Sequence, residues 1–237
     1  MGRIFEKRKH KMFARFAKMA KAFTKIGREI VIAVKAGGPD PANNARLRQV
    51  IANARSLNMP KDRIDNAIKR ANDKDTSNYE EVIYEGYAPH GVAVLVECAT
   101  DNPTRTVANI RMYFNRNEGE LGKTGSVSFM FERKGLFKIN AKGLSKDDTE
   151  LELIDFGAEE FTWDDETTDL IIQTSFADFG QMQKALEDKG IEVQSASKVF
   201  IPSVSKEVTP EQENEVMELV EKMEEDDDVL AVYTNLQ

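Results

Sequence analysis

Between Asn72 and Asn78 the chain reads NDKDTSN, without one apolar residue, and the hydrophobic pattern on its two sides follows different periods. Before this stretch, apolar residues recur three and four positions apart. After it, short β-rich runs alternate with helical ones. The sequence therefore predicts a helical unit over residues 1–75, a polar joint about which it can swing, and an α/β body from Tyr79 onward.

The helical unit reads as three amphipathic helices. In the first, Phe13, Phe16, Ala20 and Phe23 share a side that Ile30, Val31 and Val34 continue, while Lys7, Lys11, Arg15, Lys18, Lys21, Lys25 and Arg28 share the other. Aromatic residues at this spacing are read as packing rather than as platforms for bases. The cations need another account. A solvated face normally mixes signs, and no acidic residue lies between Lys7 and Arg28, so this face calls for an anionic partner. Gly37 to Pro41 stops the helix. A second helix follows from Ala42 to Leu57, with Leu47, Val50, Ile51, Ala54 and Leu57 inward and Arg48 and Arg55 along one edge. Pro60 is placed to open a third helix at its first position. Ile64, Ala67, Ile68 and Ala71 form its buried face, and Arg63 and Arg70 align on its flank.

Beyond the joint, Glu81 to Gly86 and Val92 to Cys98 predict a hairpin, Asp101 or Asn102 caps a helix with Val107, Ile110 and Phe114 inward, and Ser126 to Phe131 predicts the next strand. A second set runs from Leu136 to Ile201 in the order β-α-β-β-α-β, the split βαβ of ferredoxin-like domains. At the C-terminus Thr209 and Gln212 form a capping box before a helix, and Val229 to Asn235 predicts a last strand. The resulting expectation is an α+β protein of three domains: an N-terminal helical bundle followed by two ferredoxin-like α/β domains, one inserted in the other. Their spans are 1–75, then 79–133 plus 205–237, with 134–204 inserted.

The net charge of −8 hides a partition. Residues 1–75 carry 19 Lys/Arg and 7 Asp/Glu, whereas residues 76–237 carry 14 and 34. That is a basic binding module joined to acidic domains. Two histidines and one cysteine, Cys98, leave no credible zinc site or Cys/His nucleophile, and no cofactor motif is present. Gly119 to Thr124 resembles the end of a P-loop but lacks its first glycine, has a helix before it and is expected to lead into a strand. Lys123 in that loop is well placed to touch an anion. The clusters at 164–166 and 224–228 read as solvated turns. From Lys146 to Lys184 there are 12 acidic residues and no intervening base, a face suited to a basic protein such as those of the ribosome. Apolar runs are too short to span a membrane, and a cytoplasmic location is expected.

Several unlinked stretches carry a family resemblance. Phe23-Thr24-Lys25-Ile26-Gly27-Arg28-Glu29, Asn58-Met59-Pro60-Lys61-Asp62-Arg63-Ile64, Tyr84-Glu85-Gly86-Tyr87, Arg105-Thr106-Val107 and Phe131-Glu132-Arg133-Lys134-Gly135 resemble the YebC/PmpR family. The resemblance covers essentially the whole chain. It implies three domains and a cytoplasmic, non-enzymatic DNA-binding regulator of transcription; some relatives are instead tied to the ribosome and to translation through proline-rich sequences. The chain departs at its start, where Gly2-Arg3-Ile4-Phe5 replaces the usual Gly-His-Ser-Lys-Trp. The expected phosphate-binding residues are Lys7, Arg8, Lys9, Lys11, Arg15, Lys18, Lys25, Arg28, Arg48, Arg55, Lys61, Arg63, Lys69 and Arg70. Whether they meet DNA or ribosomal RNA is not written in the residue types, because phosphate contacts position without specifying.

Overall fold

The computed structural model describes residues 21–73, 78–164 and 167–237. The expectations for Lys7 to Ala20 lie outside these residues. Helix α1 covers residues 21–37, and α2 (Ala45–Ser56) and α3 (Lys61–Ala71) follow. Asn44 joins the first two. Its side-chain oxygen accepts the Leu47 N–H at 3.0 Å, while its amide donates to the carbonyls of Ala33 and Gly38, each at 2.8 Å. One residue thus satisfies the start of α2 and the end of α1. Ile30, Val34, Leu47, Val50, Ala54 and Ile64 fill the core between the helices. Pro60 sits at the N-cap of α3, one position before the site expected for it.

The first sheet comprises β1 (Glu80–Ala88), β2 (Val92–Thr100), β3 (Glu120–Leu121) and β8 (Val229–Thr234), in the antiparallel order β3-β1-β2-β8. Strand β2 is central and covered on both faces, which explains its unbroken apolar run. Val94, Val96 and Cys98 meet α4 (Pro103–Arg116) and α7 (Pro210–Glu224), while Ala93 and Leu95 meet Val127 and Phe131. The Asn102 cap and the Thr209–Gln212 capping box form as expected.

The second sheet lies in the chain between the first sheet's third and fourth strands. It contains β4 (Phe131–Asn140), β5 (Ala158–Asp164), β6 (Asp169–Ser175) and β7 (Val193–Pro202), in the order β5-β6-β4-β7. Helices α5 (Lys146–Ile154) and α6 (Phe179–Asp188) supply Leu153, Met182 and Leu186 to the core that Phe137, Ile139, Leu170 and Ile172 line. This alternation has the split βαβ order. The first sheet does not: its hairpin strands β1 and β2 are both central, so the ferredoxin-like expectation fits its element types but not its strand order.

The strand expected at Ser126–Phe131 is absent, and a single 3-10 turn, Ser128–Met130, stands in its place. The cause is Glu85, a buried carboxylate on β1. It accepts the N–H groups of Gly125 at 2.8 Å and of Val127 and Ser128 at 2.9 Å each. Those donors are drawn onto a side chain and away from a ladder. Gly125, at φ +87°, supplies the left-handed turn that allows it. Burial pushes the Glu85 carboxyl up, but the hydrogen bonds from Gly125, Val127 and Ser128 outweigh it and hold the group below its ordinary value.

The helical unit rests on both sheets. On the second, the Asn53 side chain accepts the Ala196 N–H at 2.9 Å and returns a hydrogen bond to the Ala196 carbonyl at 2.8 Å, which Gln49 also reaches at 2.8 Å. Among the described residues, no helix is long and apolar enough to cross a membrane.

Candidate nucleic-acid interface

The cations of α1 and α3 have different surroundings. On α1, Lys21 lies 3.7 Å from Glu225, and Lys25 donates to the Glu224 carbonyl at 3.1 Å. Arg28 donates to Asp228 at 2.5 Å and to the Ala99 carbonyl at 2.9 Å, and its guanidinium lies 5.2 Å from the Tyr79 ring centre. The anionic partner that α1 needs is therefore, for these three residues, the end of α7 in the same chain.

Asp228 is the centre of that contact. Its side chain is 4% exposed and also receives Arg105 at 2.7 Å, Thr106 at 2.8 Å and Thr100 at 3.2 Å. Burial pushes its carboxyl up, but the hydrogen bonds from Arg105, Thr106 and Arg28 together hold it below its ordinary value. Nearby, Asp226 accepts from Asn109 at 3.0 Å and from Tyr113 at 3.1 Å, and burial with the adjacent Asp226 charge pushes the Tyr113 phenol up to about 12. The reading of 224–228 as a solvated turn is corrected accordingly: it is a docking site, where the turn after α7 receives α1 and α4.

Arg48 is also engaged within the chain, donating to the carbonyls of Pro41 at 2.8 Å and Ala42 at 2.9 Å and pairing with Glu187 at 3.4 Å. Arg55, Lys61, Arg63, Lys69 and Arg70 are exposed. On α3, Arg63 and Arg70 fall on one flank about 10 Å apart along the axis. Arg63 is steadied by the Phe23 ring, 5.6 Å from its guanidinium carbon. Lys61 and Lys69 occupy a different side of α3 that they share with Asp62 and Asp65. Lys7, Arg8, Lys9, Lys11, Arg15 and Lys18 lie outside the described residues.

Sequence reasoning passed over Arg105, Asp228 and Glu85 as structural centres. The motifs RTV and YEGY contain the first and last of these, yet no pattern in them pairs Arg105 with a residue 123 positions away. It also passed over Arg133 and Lys198, which lie on β4 and β7 beside the aromatic rings of Phe176 and Phe200.

Comparison with known proteins covers the whole chain. A family model described as the TACO1/YebC protein N-terminal domain matches residues 3–74, and one described as the TACO1/YebC second and third domain matches residues 79–236. A protein of Myxococcus xanthus named "probable transcriptional regulatory protein" is 53% identical, with all of both chains covered. One of the same name from Cytophaga hutchinsonii is 56% identical, covering 100% of this chain and 98% of its own. The crystal structure of a conserved hypothetical protein from Aquifex aeolicus is similar, with a TM-score of 0.78 and 37% identity, over 92% of this chain and 90% of that one.

Proposed function

The chain belongs to the TACO1/YebC family, and from that premise we propose that it is a cytoplasmic, non-enzymatic regulator of gene expression that binds nucleic acid through its helical unit. The relatives' name supports a regulatory role. The observation that carries the binding is the arginine flank of α3: Arg63 and Arg70 are exposed at the surface while the cations of α1 at Lys21, Lys25 and Arg28 face protein. Arg55, Lys61 and Lys69 extend the exposed positive charge, and Lys7, Arg8, Lys9, Lys11, Arg15 and Lys18 add to it in sequence. Division into a helical domain (1–75), a discontinuous α/β domain (79–133 plus 205–237) and an inserted one (134–204) is part of this reading. It is supported by the strand orders.

The test titrates the full chain against duplex DNA and against folded ribosomal RNA at several salt concentrations. About six engaged phosphates on duplex DNA give a slope of log K against log salt near −5. Charge reversal at Arg63 and Arg70 should weaken binding by about tenfold or more and make the slope shallower. Unchanged affinity and slope would remove α3 from the interface.

A second reading, a ribosome-associated translation factor, is favoured by α5. Its outer face exposes Leu151 at 72% and Ile154 at 54%, bordered by Asp147, Asp148 and Asp155. Such a face repels free DNA and suits a basic ribosomal protein. Co-sedimentation with ribosomes, lost when Leu151 and Ile154 become serine, separates this reading from promoter binding.

A further inference from the structure

Several surface cations outside the helical unit pair with carboxylates: Lys134 with Glu132 and Glu159, Lys138 with Asp169, Lys189 with Glu152, Lys222 with Glu218. Arg133 and Lys198 are held in another way. Neither makes a salt bridge among the described residues, although both border an acidic body. They are held by rings. The Arg133 guanidinium lies 4.3 Å from the centre of the Phe176 ring and 5.6 Å from that of Phe200. The Lys198 ammonium lies 5.2 Å from Phe176 and 5.1 Å from Phe179. A ring face fixes a cation without neutralising it and leaves its N–H donors unused. Phe176 itself is 41% exposed.

The two cations open onto a crevice of about 440 Å³ where α1, α2 and both sheets meet, and Arg46 lies on its far wall. The carboxylates of that crevice are engaged or weakened as anions. Glu81 pairs with Arg46, and Glu97 accepts the Tyr233 hydroxyl at 3.2 Å. Burial pushes the Glu29 carboxyl up to about 7, with the Glu97 charge adding to the effect. Burial, together with Arg133 and Arg46, lowers the Lys198 ammonium below its ordinary value. Arg46 is answered by Glu81, whereas Arg133 and Lys198 share the Phe176 ring without a salt-bridged carboxylate, an arrangement that an added anion stabilises.

We propose that Arg133 and Lys198, set on the rings of Phe176, Phe200 and Phe179, form a phosphodiester-binding site that takes the backbone of the nucleic acid bound by the helical unit. The site rests on the nucleic-acid reading above and extends it. It gives the bound strand a second point of attachment, on the second sheet, so that the polynucleotide is gripped by two parts of the molecule. Arg133 supplies a planar fork for two phosphate oxygens, and Lys198 supplies a point charge beside it.

The experiment uses the full chain and labelled single-stranded RNA and DNA oligonucleotides, with binding read by anisotropy over a salt series. The double variant Arg133→Gln/Lys198→Gln should bind about tenfold more weakly. Its salt slope should be shallower by roughly 0.7 for each single-strand phosphate that it no longer neutralises. Arg133→Lys, which keeps the charge but removes the fork, should fall between the double variant and the natural chain. Melting temperatures matching the natural chain establish that each variant is folded. If the double variant keeps natural affinity and slope while Arg63→Glu/Arg70→Glu weakens binding, this site is refuted and the interface on α3 stands. If the natural chain binds neither these oligonucleotides nor the duplex DNA and folded RNA of the first test, both fall together; binding to the latter alone refutes this site and leaves the interface on α3 standing. Inorganic phosphate that competes as well as the oligonucleotide, phosphate for phosphate, would assign the site to a free anion and overturn the backbone assignment.

Discussion

Helices α1 and α3 come from the same basic segment, and their positive charges do opposite things. On α1, Lys21, Lys25 and Arg28 face Glu225, the Glu224 carbonyl and Asp228, and they fasten the helix to the end of α7. On α3, Lys61, Arg63, Lys69 and Arg70 are exposed to solvent. A count of lysines and arginines treats the two alike. The difference lies in what stands opposite, and that is set by a stretch of chain about 200 residues away. Positive charge in a sequence shows that an anion is needed, and only the fold shows whether the protein supplies it.

The largest effect that sharpens this contrast is expected at Asp228. Replacing it by alanine leaves Arg28 part-buried without its carboxylate, and breaking a buried pair in this way costs about 3–5 kcal/mol. Denaturant unfolding of Asp228→Ala should show that loss. A cost below about 1 kcal/mol would mean that α1 is held by its apolar face alone.

Glu29, also on α1, gives the next effect and tests whether that face is purely attractive. Burial raises its folded-state pKa from 4.5 to about 7, with Glu97 contributing. A raised carboxyl means that the folded state holds its proton more tightly than the unfolded chain. Its stabilising protonation is complete below pH 4.5 and is lost as the pH climbs from 4.5 through about 7. The loss is at most about 3 kcal/mol at 1.36 kcal/mol per unit. Glu29→Gln should remove that decline. A stability profile of the natural chain that is flat from pH 5 to 8 would refute the burial of Glu29 as an acid.

Reversal of Arg63 and Arg70 should have the smallest effect on stability, within about 0.5 kcal/mol, because exposed substitutions away from packed features rarely do more. The same variant should lose nucleic-acid affinity. Arg28→Ala should show the converse, a clear drop in melting temperature with little change in salt slope. If Arg28→Ala instead changes the slope as much as the α3 reversal, the distinction between the two helices collapses.

Much of the fold was legible because it is written locally. The Asn102 cap, the Thr209–Gln212 box and the apolar run of β2 each announce an element within a few residues. The expected strand at Ser126–Phe131 failed because a long-range contact overrode a local one: the Glu85 carboxylate, 40 residues earlier, took the N–H groups that a ladder would have used. The candidate site was legible in outline only. Arg63 and Arg70 are named from their seven-residue spacing, and both are exposed on α3. Arg48 was named from the same kind of spacing but pairs with Glu187 and the carbonyls of its own loop. Arg133 and Lys198 were missed because β4 and β7 join them across a sheet, with Phe200 directly opposite Arg133 in register.

The amide of Asn53 bonded to both backbone groups of Ala196 has a consequence for the solution behaviour of the protein. Strand β7 ends its sheet, so its outward N–H and C=O groups are a template for an added strand from a second molecule. Asn53 offers the donor and acceptor that such a strand would bring, and the helical unit thereby shields an edge prone to self-association. Any event that lifts α2 away uncovers that edge. Asn53→Ala should therefore reveal itself less as a change in melting temperature than as concentration-dependent growth of β-rich assemblies, followed by light scattering.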